Sequence, residues 1–536
     1  MATGADLLID CLYRQGVRVV FGMPGSHATA IYDALARHGS IRTILIRNEQ
    51  AGAFAADGFA RVTGQPGVIC TTAGPGATNA LTGIAEAWAD SMPVLLLAGQ
   101  VNHDRLHQEC GNYHEIDLEG IFRPCTKVSI TVMANDRIPG AVKEAWQALS
   151  TGRRRPAALI LPQDLMAAPV ANLANEDRGV ARQRAVDSEV KMANGPPLVP
   201  NVQKAVDLLA RAQRPILLAG GGAVWAGAGP ELKALAKKLA CPVITTLNGK
   251  GIVDERDPHS LGHARSFKAR VALPQADLLL AVGCRFTEVF TRFRTLTFPR
   301  TIVQIDIDPG QIGMNYPAAV GIVADAKIAL GQLLAALPKE AAANWRALWQ
   351  QAHAAQRVRP EWLIGTLREE LPENGVVFAD ASEMGYRMHF DFPAYAPRTF
   401  FYPSNYIALG WGLPAALGAA VALPDRPVVS LGGDGGFLMT AQELATALRY
   451  RLKVIAIVHN DAAYGAIRNI QRKQYQGRYV DTDLNNPDFV KLAEAYGMPG
   501  ARAPDAEEFR RAFRAALGRT GPSLIEIPDQ WRSLRA

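Results

Sequence analysis

Residues 427–460 read PVVSLGGDGGFLMTAQELATALRYRLKVIAIVHN and carry the clearest pattern in the chain. An apolar run ends in the glycine-rich turn 432–436, a helical pattern follows, and a second apolar run ends at His459 and Asn460. Apolar runs on either side of a helix are typical of a βαβ unit, in which the two strands lie parallel. The stretch therefore predicts a parallel sheet with a glycine-rich turn at its carboxyl edge.

Two candidate metal ligands, Asp434 and Asn460, each follow one of these predicted strands, 26 residues apart. Open α/β sheets bind ligands at the carboxyl edge. Magnesium prefers carboxylate, amide and carbonyl oxygens and is often shared with a diphosphate. We therefore expect Asp434, Asn460 and the backbone carbonyl of Ala462 to hold Mg²⁺. The alternative is a tight turn with Asn460 as a helix cap.

Glycines in the same turn suit a diphosphate. Backbone N–H groups that lack a side chain beside them can approach phosphate oxygens closely, and the following helix N-terminus adds a favourable dipole. The glycines expected to bind the diphosphate are Gly433, Gly435 and Gly436.

The alternation of strand and helix patterns recurs along the whole chain. Strands are predicted at 17–22, 42–47, 67–72 and 93–99, then at 215–221, 242–246, 277–283 and 301–308, and finally at 375–382, 427–436, 453–460 and 522–528. Polar sequence at about 170–200 predicts a linker, and Ala- and Gln-rich sequence at about 338–360 predicts a helical connector. We predict an α/β protein with three doubly wound parallel-sheet domains in series, at 1–170, 190–338 and 360–536.

Composition excludes several classes of protein. The 57 basic and 50 acidic residues are interspersed, so the net charge of +7 does not indicate a nucleic-acid partner. The six cysteines form no CxxC pair and are typical of reduced thiols in the cytoplasm. Asp6, Asp10 and Arg14 interrupt the N-terminal apolar stretch, which favours an amphipathic helix over a signal peptide. No apolar run reaches the roughly 18 residues of a membrane span. We expect a soluble, cytoplasmic protein.

Six stretches together resemble the thiamine-diphosphate (ThDP) dependent enzymes, and within them the acetolactate synthase large subunit group. They read FGMPGSHATAIYDAL (21–35), RNEQAGAFAADGFARVTGQPGV (47–68), TTAGPGATNALTGIAEAWADSMPVL (71–95), NGKGIVDERDPHSLG (248–262), ALGWGLPAALGAA (408–420) and GGDGGFLMTAQELAT (432–446). The resemblance implies a pyrimidine-binding, a central and a diphosphate-binding domain in that order, with ThDP and Mg²⁺ as cofactors.

Glu49 matches the catalytic glutamate of that superfamily, which hydrogen-bonds the pyrimidine ring of ThDP and so helps to activate the cofactor. Read by residue type alone, Asn48 caps a helix and Glu49 interacts with its dipole. Glu49 and Asp434 lie on different domains, and in the family the two come from different subunits. The resemblance therefore implies a homodimer or homotetramer with sites at the subunit interface.

Other positions match cofactor neighbours in relatives. Leu409 matches the bulky apolar residue that holds ThDP in its bent shape, although a plain core leucine is the alternative. The remaining cofactor neighbours that the resemblance implies are Gly25, Ser382, Glu383, Met384, Tyr464 and Gly465.

Three departures from the acetolactate synthase pattern affect the reacting pocket. His114 stands where that group carries Gln, and it is a candidate proton relay; a structural loop histidine is the alternative. Ser26 and His27 replace Gly and Ala at the pocket mouth. Ile470 stands near the position of a tryptophan that helps select the second 2-oxo acid.

Arg468, Arg472 and Lys473 belong to the same predicted helix as Ile470, where they either bind an anionic substrate or form a solvated basic face.

The central domain leaves its ligand open between FAD, another nucleotide and none. The glycines of AGGGAVWAGAG (219–229) follow a predicted strand, but Trp225 stands at the third glycine position of GxGxxG. The segment GHARSFKAR (262–270) also lacks the glycine- and methionine-rich loop associated with FAD in relatives. Both features favour a domain without a ligand.

The sequence thus predicts an enzyme that decarboxylates 2-oxo acids, joins them to a second carbonyl, or both. The first alternative is non-oxidative decarboxylation of a bulky or charged 2-oxo acid, or a 2-hydroxyacyl-CoA lyase. The second is a non-catalytic nucleotide-binding protein, against which the presence of Glu49, Asp434 and Asn460 argues.

Overall fold

The computed structural model of the chain describes residues 2–108, 111–170, 199–338, 345 and 361–528. Within them lie three six-stranded, wholly parallel sheets, one in each predicted domain. Nearly all of the predicted linker at 170–200 and of the helical connector at 338–360 lies outside the described residues.

The N-terminal sheet has the strand order β2-β1-β3-β4-β6-β5. Its strands are β1 Val19–Gly22, β2 Arg42–Leu45, β3 Gly67–Thr71, β4 Val94–Gln100, β5 Ser129–Thr131 and β6 Ala157–Pro162. Its helices are α1 Gly4–Arg14, α2 Thr29–His38, α3 Glu49–Thr63, α4 Pro75–Asp90, α5 Leu118–Phe122, α6 Ile138–Ser150 and α7 Gln163–Ala167. Every residue of β3, β4 and β6 is buried, as a parallel sheet with helices on both faces requires.

The central sheet runs β9-β8-β7-β10-β11-β12, the strand order of dinucleotide-binding folds. Its strands are β7 Pro215–Ala219, β8 Val243–Thr245, β9 Ser260–His263, β10 Leu278–Val282, β11 Thr301–Asp306 and β12 Val320–Val323. Its helices are α8 Val202–Arg211, α9 Gly221–Trp225, α10 Gly229–Lys238, α11 Phe267–Ala272 and α12 Ala326–Ala336. The strand order reverses between β7 and β10, so a crevice opens there at the carboxyl edge.

The C-terminal sheet, β14-β13-β15-β16-β18-β17, repeats the strand order of the N-terminal sheet. Its strands are β13 Val376–Ala379, β14 Phe400–Phe401, β15 Val428–Gly433, β16 Val454–Asn460, β17 Gly500–Arg502 and β18 Ser523–Pro528. Its helices are α13 Trp362–Glu370, α14 Glu383–Asp391, α15 Gly412–Ala422, α16 Asp434–Thr440, α17 Leu444–Arg449, α18 Gly465–Gln474, α19 Phe489–Ala495 and α20 Ala506–Leu517. The βαβ unit read from residues 427–460 is therefore present, as β15, α16–α17 and β16.

The N-terminal and C-terminal domains meet where α3 packs against α15, and their buried residues form one continuous core. Two glycines make the approach possible. A Cβ atom at Gly58 would lie 2.0 Å from the carbonyl oxygen of Ala415, and one at Gly418 would lie 1.8 Å from that of Ala55. The two helix backbones therefore touch, and no larger side chain fits between them.

We expect Gly418→Ala to destabilise the chain, because its methyl group would force the backbones of α3 and α15 apart. Overpacking of this kind costs about 1–3 kcal/mol, which lowers the melting temperature in thermal unfolding. Gly331→Ala is the matched control, since Gly331 lies within α12 and a Cβ atom there would have nothing within 4 Å. An unchanged melting temperature for Gly418→Ala would contradict the close contact.

Candidate active site

Asp434 and Asn460 meet at the carboxyl edge of the C-terminal sheet, where β15 and β16 end side by side. One nitrogen atom joins them: Nδ2 of Asn486 lies 2.5 Å from Oδ2 of Asp434 and 2.9 Å from Oδ1 of Asn460. The two oxygens thus face the same small volume, and burial raises the pKa of the Asp434 carboxyl. A group with a positive charge in that volume would replace the Asn486 amide as their partner.

Glu526 on β18 orients Asn460. Its Oε1 accepts from Nδ2 of Asn460 at 2.7 Å, which leaves the amide oxygen of Asn460 directed towards Asp434 and Asn486. Arg502 in turn donates to Glu526 at 2.8 Å. Asn460 is not the N-cap of the following helix, because Tyr464 holds that position at the start of α18. The cap alternative for Asn460 therefore does not describe this fold.

Ala462, expected as a carbonyl ligand, lies two residues beyond Asn460 and has a left-handed backbone with φ of 49°. Its N–H group donates to Oδ1 of Asn460 at 3.2 Å. Its carbonyl oxygen accepts the N–H of Leu484 at 2.9 Å. The residue is therefore at the site, with one acceptor position on its carbonyl taken by the neighbouring backbone; a metal bond from this carbonyl stays a prediction.

The other predicted cofactor neighbours of this domain gather at the same edge. A Cβ atom at Gly433 would lie 3.1 Å from Cβ of Ser382, and one at Gly435 would lie 2.6 Å from Cε1 of Tyr464. A Cβ atom at Gly465 would lie 3.5 Å from Cγ of Glu383.

These contacts bring the starts of α14, α16 and α18 together at the predicted diphosphate site. Ser382 caps α14 through the N–H of Gly385, Met384 is buried, and Gly436 follows in the first turn of α16.

Asp380, at the end of β13, holds the segment that carries Leu409. Its carboxylate accepts the N–H groups of Ala381 and Gly410 at 2.7 and 2.9 Å. Burial raises the pKa of Asp380 to about 6, and the backbone N–H groups of residues 410–412 oppose that rise. Leu409 itself is half-buried and lies outside the described core clusters. This position fits a residue that contacts a ligand better than it fits a plain core leucine.

Glu49 begins α3 and is 3% exposed, in a pocket of the N-terminal domain. Its Oε2 accepts from Nδ2 of Asn79 at 3.1 Å, and its Oε1 would lie 3.2 Å from a Cβ atom at Gly76. Asn48 caps the helix as expected, since its side chain accepts the N–H of Gln50. The carboxyl of Glu49 therefore has a hydrogen-bond partner on α4 besides the helix dipole, and its contact with a cofactor stays a prediction.

Gly25 faces the same pocket through Thr72. A Cβ atom at Gly25 would lie 2.6 Å from Cβ of Thr72, and the methyl group of Thr72 also lies 2.7 Å from the Cβ position of Gly76. Gly25 and Glu49 thus lie on either side of Thr72 and Gly76 at the carboxyl edge of the N-terminal sheet. We name this region the Glu49 pocket.

His114 lies at the mouth of the Glu49 pocket, with a left-handed backbone at φ of 67°. Its carbonyl oxygen would lie 2.8 Å from a Cβ atom at Gly74, two residues before Gly76. Its ring is 5.5 Å from that of His27 and 3.7 Å from that of Tyr113. The structure therefore places His114 beside His27 and Gly74, and a role of either ring in proton transfer stays a prediction.

His27 is buried in the 3₁₀ turn Ser26–Ala28, which Gly25 precedes. Its N–H donates to Oγ1 of Thr72 at 3.3 Å. Burial, together with the nearby His114, lowers the pKa of His27, so the ring is held neutral near pH 7. A neutral imidazole beside a second histidine can accept a proton and pass one on.

Helix α18, which carries Ile470, contains no buried residue. Ile470 is 42% exposed, Arg468 forms an ion pair with Asp483, and Arg472 donates to Oδ1 of Asn469 at 2.7 Å. Arg468 and Arg472 are thus engaged within the chain, which agrees with a solvated basic face. A role of Ile470 in substrate selection stays a prediction.

A cavity of about 290 Å³ lies at the crevice between β7 and β10, where residues of the other two domains, such as Asp90 and Ser404, also line it. Gly220 and Gly283 line it and pack backbone to backbone, since a Cβ atom at Gly220 would lie 2.1 Å from the Gly283 carbonyl oxygen. Arg153 and Arg285 also line it, and burial, with Arg285 next, lowers the pKa of Arg153 to about 9. The strand order and the two glycines thus supply a place for a ligand that the GxGxxG spacing did not indicate.

Sequence reasoning missed five residues of these sites: Thr72, Asn79, Asp380, Asn486 and Glu526. Thr72 ends the predicted strand 67–72 and Asp380 lies near the end of the predicted strand 375–382, and a polar residue at a strand end is a usable signal. Asn79 and Asn486 give no such signal, because their positions depend on how distant segments meet.

The fold is an α/β fold with two candidate sites, one at the carboxyl edge of the C-terminal sheet and one around the buried carboxylate of Glu49 in the N-terminal domain. Comparison with known families agrees. Residues 2–121, 202–333 and 382–527 match, in order, the N-terminal TPP binding domain, the central domain and the C-terminal TPP binding domain of thiamine pyrophosphate enzymes.

Relatives extend over nearly the whole chain. A "Probable acetolactate synthase large subunit" of Methanocaldococcus jannaschii is 36% identical, covering 98% of this chain and 91% of the relative. A "Probable 2-ketoarginine decarboxylase AruI" of Pseudomonas aeruginosa is 35% identical, covering 98% and 94%. "Acetolactate synthase isozyme 3 large subunit" of Escherichia coli is 34% identical, covering 99% and 94%. The chain belongs to the thiamine pyrophosphate enzyme family and is a ThDP-dependent enzyme.

Two further observations concern membrane spans and disulfide bonds. Among the described residues, no helix is both long and apolar enough to cross a membrane. No disulfide bond joins any two of the five described cysteines.

We expect Asp434→Asn to weaken Mg²⁺-dependent binding of ThDP at least about 10- to 100-fold, because a neutral amide replaces the only charged ligand we assign. Isothermal titration of the protein with ThDP, at fixed Mg²⁺, measures this loss. Asp505→Asn is the control, since Asp505 caps α20 and asparagine also caps helices. Equal affinity in Asp434→Asn and the control would rule out the assigned metal site.

Proposed function

We propose that this chain uses ThDP and Mg²⁺ to act on 2-oxo acids by decarboxylation, carboligation or both, in the manner of acetolactate synthases. The observation that carries the proposal is the pairing of Asp434 with Asn460 through one nitrogen atom at a glycine-rich helix start. Two of the relatives are named as acetolactate synthases and one as a 2-ketoarginine decarboxylase, which supports both kinds of reaction.

The donor set fits the cofactor. Asp434 and Asn460, with Ala462, supply the oxygen ligands that Mg²⁺ prefers, and Gly433, Gly435 and Gly436 present N–H groups at the start of α16. Bound ThDP would supply the electron sink for breaking a carbon–carbon bond next to a carbonyl. Glu49 would hold a proton at the pyrimidine ring, and Leu409 would support the cofactor from beneath.

One cofactor needs both the N-terminal domain, with Glu49, and the C-terminal domain, with Asp434. We propose that these two domains come from different copies of the chain. Leu438 and Met439 follow Asp434 on α16 and are exposed, as are the apolar side chains of Ile467 and Ile470 on α18. An apolar surface around a catalytic edge favours burial against a partner. A homodimer or homotetramer of this chain, in the cytoplasm, is the assembly we propose.

Decarboxylation of a bulky or charged 2-oxo acid is the second candidate, and the histidine pair favours it. Decarboxylation without ligation ends when a proton is delivered to the product, and His27 and His114 stand 5.5 Å apart at the pocket mouth. The 2-ketoarginine decarboxylase relative is similar over the whole chain. An exposed Ile470, rather than a tryptophan, leaves space for a longer substrate.

The cofactors we propose are ThDP and Mg²⁺, with flavin left out. The cavity between β7 and β10 has room for a nucleotide beside its arginines, but the proposed reaction requires no electron transfer. A nucleotide bound there would stabilise the fold and take no part in the proposed reaction.

We expect Glu49→Gln to abolish or nearly abolish turnover of 2-oxo acids while the protein still folds and binds ThDP. A positioned general acid or base is worth about 10²–10⁴ in rate, and the amide cannot donate or take up the proton that the carboxyl holds. Turnover is measured by analysis of the products from pyruvate and from longer 2-oxo acids, alone and with an aldehyde acceptor. Near-normal rates in Glu49→Gln would defeat the assignment.

We expect His114→Gln to shift the products from protonated aldehyde towards ligated hydroxyketone, because the variant loses a proton donor at the pocket mouth. The measurement is the ratio of the two products with one 2-oxo acid and one acceptor. His38→Gln is the control: His38 ends α2, at the edge of the sheet opposite to the pocket, where its ring packs on Tyr13. An unchanged ratio in His114→Gln assigns the residue to a structural role.

A further inference from the structure

Glu443, in the C-terminal domain, binds the backbone directly before Glu49. Its Oε1 accepts the N–H of Arg47 at 2.9 Å and the N–H of Asn48 at 3.1 Å. The side chain is completely buried. The two residues that lead into the catalytic carboxylate are thus held by a group almost four hundred positions away in the chain, in a different domain.

Tyr450 and Thr446, which follow Glu443 in the chain, bind Leu45 at the end of β2 in the same way. Oη of Tyr450 accepts the N–H of Leu45 at 2.8 Å, and Oγ1 of Thr446 lies 3.1 Å from the carbonyl oxygen of Leu45. Residues 443–450 therefore bind three backbone N–H groups and one carbonyl group of the turn between β2 and α3. We name residues 443–450 the clamp.

Hydrogen-bond counting shows which form of Glu443 suits the clamp. Oγ1 of Thr446 lies near two acceptors, the Leu45 carbonyl oxygen and Oε2 of Glu443, the latter at 2.7 Å. A hydroxyl has one hydrogen and cannot donate to both. If Glu443 is protonated at Oε2, it donates to Thr446, and Thr446 then donates to Leu45. Every group is satisfied only when Glu443 is neutral.

Burial favours the same form, since it raises the pKa of Glu443 to about 7. The charged and titratable groups around the clamp are Arg47, which opposes that rise, and Glu49, Tyr32 and Tyr450, of which Glu49 and Tyr450 raise the pKa of Tyr32. The guanidinium groups of Arg42 and Arg449 lie 5.5 and 5.8 Å from the centre of the Tyr450 ring. Of these arginines Arg47 opposes the rise most, and a negative charge on Glu443 would lie in a region that already holds the carboxyl of Glu49.

We infer that Glu443 is a positioning residue that fixes the direction of Glu49 through the backbone of residues 47 and 48. The inference rests on the proposed role of Glu49 in activating ThDP. Loss of the neutral carboxyl loosens the turn, and the carboxyl of Glu49 then no longer meets the cofactor in the reactive geometry. A displacement of about 1 Å is enough to cost roughly 10²-fold in rate.

One continuous segment connects this clamp to the metal site. Helix α16 starts at Asp434, a 3₁₀ turn of Ala441–Glu443 follows it, and α17 carries Thr446. Helical rises of about 1.5 and 2.0 Å per residue place Glu443 about 15 Å from Asp434. Asp434, which we assign to the metal and diphosphate, therefore lies at one end of a short helical element. Glu443, which binds the backbone directly before Glu49, lies at its other end.

The test measures exchange of the C2 proton of bound ThDP for deuterium, which reports activation of the cofactor without any substrate. Glu443→Gln keeps the two acceptor bonds at Oε1 and donates to Thr446, so we expect exchange within about threefold of the wild-type rate at pH 6. Glu443→Ala leaves two buried N–H groups unpaired, and we expect exchange to fall about 10- to 100-fold. The ratio of wild-type to Glu443→Gln exchange should fall as pH rises through about 7.

The results of these measurements distinguish a failure of this inference from a failure of the proposed function. If Glu49→Gln exchanges like the wild type, the proposed function fails. If Glu49→Gln loses exchange but Glu443→Ala keeps it, or if the wild-type to Glu443→Gln ratio is flat with pH, the positioning role alone is overturned. The pH comparison needs only Glu443→Gln, so it still decides the matter if Glu443→Ala does not fold.

Thermal unfolding of the cofactor-free protein gives an independent readout. The folded pKa of Glu443, about 7, lies above the ordinary value of 4.5, so the folded state keeps a proton that the unfolded state has lost. Stability conferred by the neutral carboxyl is therefore complete below about pH 4.5 and is lost as pH rises to about 7. We expect the melting temperature of Glu443→Gln relative to the wild type to rise across that interval. A constant difference would show that Glu443 is already ionised and would overturn the neutral clamp.

Discussion

The contact between α3 and α15 is the constraint on which the sites depend. Gly58 and Gly418 let the two helix backbones touch, and this contact sets how the N-terminal and C-terminal domains sit against each other. Glu49 is the first residue of α3. A helix that is fixed along its length by backbone contact can hold its first residue in place, whereas a looser side-chain interface would allow small rotations.

Buried charges strengthen the same junction. Arg61 on α3 donates to Asp57 and Asp90 at 2.8 and 2.9 Å, and all three side chains are fully buried. Burial works to lower the pKa of Arg61, but the carboxylates outweigh it and raise it. Trp411 also donates to Asp57, and Asp90 accepts from Ser404. A buried ion pair adds little net stability, so we assign the network to geometry: it places the segment 404–411, which carries Leu409.

Much of the fold could be predicted, because each buried parallel strand is a continuous apolar run followed by a turn signal. The short edge strands Phe400–Phe401 and Gly500–Arg502 gave no such run and were missed. The strand Ala157–Pro162 does form a fully buried apolar run, and it was missed as well. At the sites, Asp434 and Asn460 were predictable, since both follow strands. Asn486 and Glu443 were not, because they join segments that meet only after the domains have packed, and no local pattern records such a meeting.

Helix α18 is held to the rest of the chain by polar contacts and not by a buried face. Helix α18 buries none of its ten residues, and a ten-residue helix is marginal without packing. Within the described chain it is held by polar contacts, Arg468 with Asp483 and Asn469 with Glu383. Glu383 starts α14 beside the predicted diphosphate site, so the helix is anchored to the cofactor side and free on its outer face. Within one chain its exposed apolar side chains can therefore change with little cost to the fold, so what limits such changes is the partner surface that we propose.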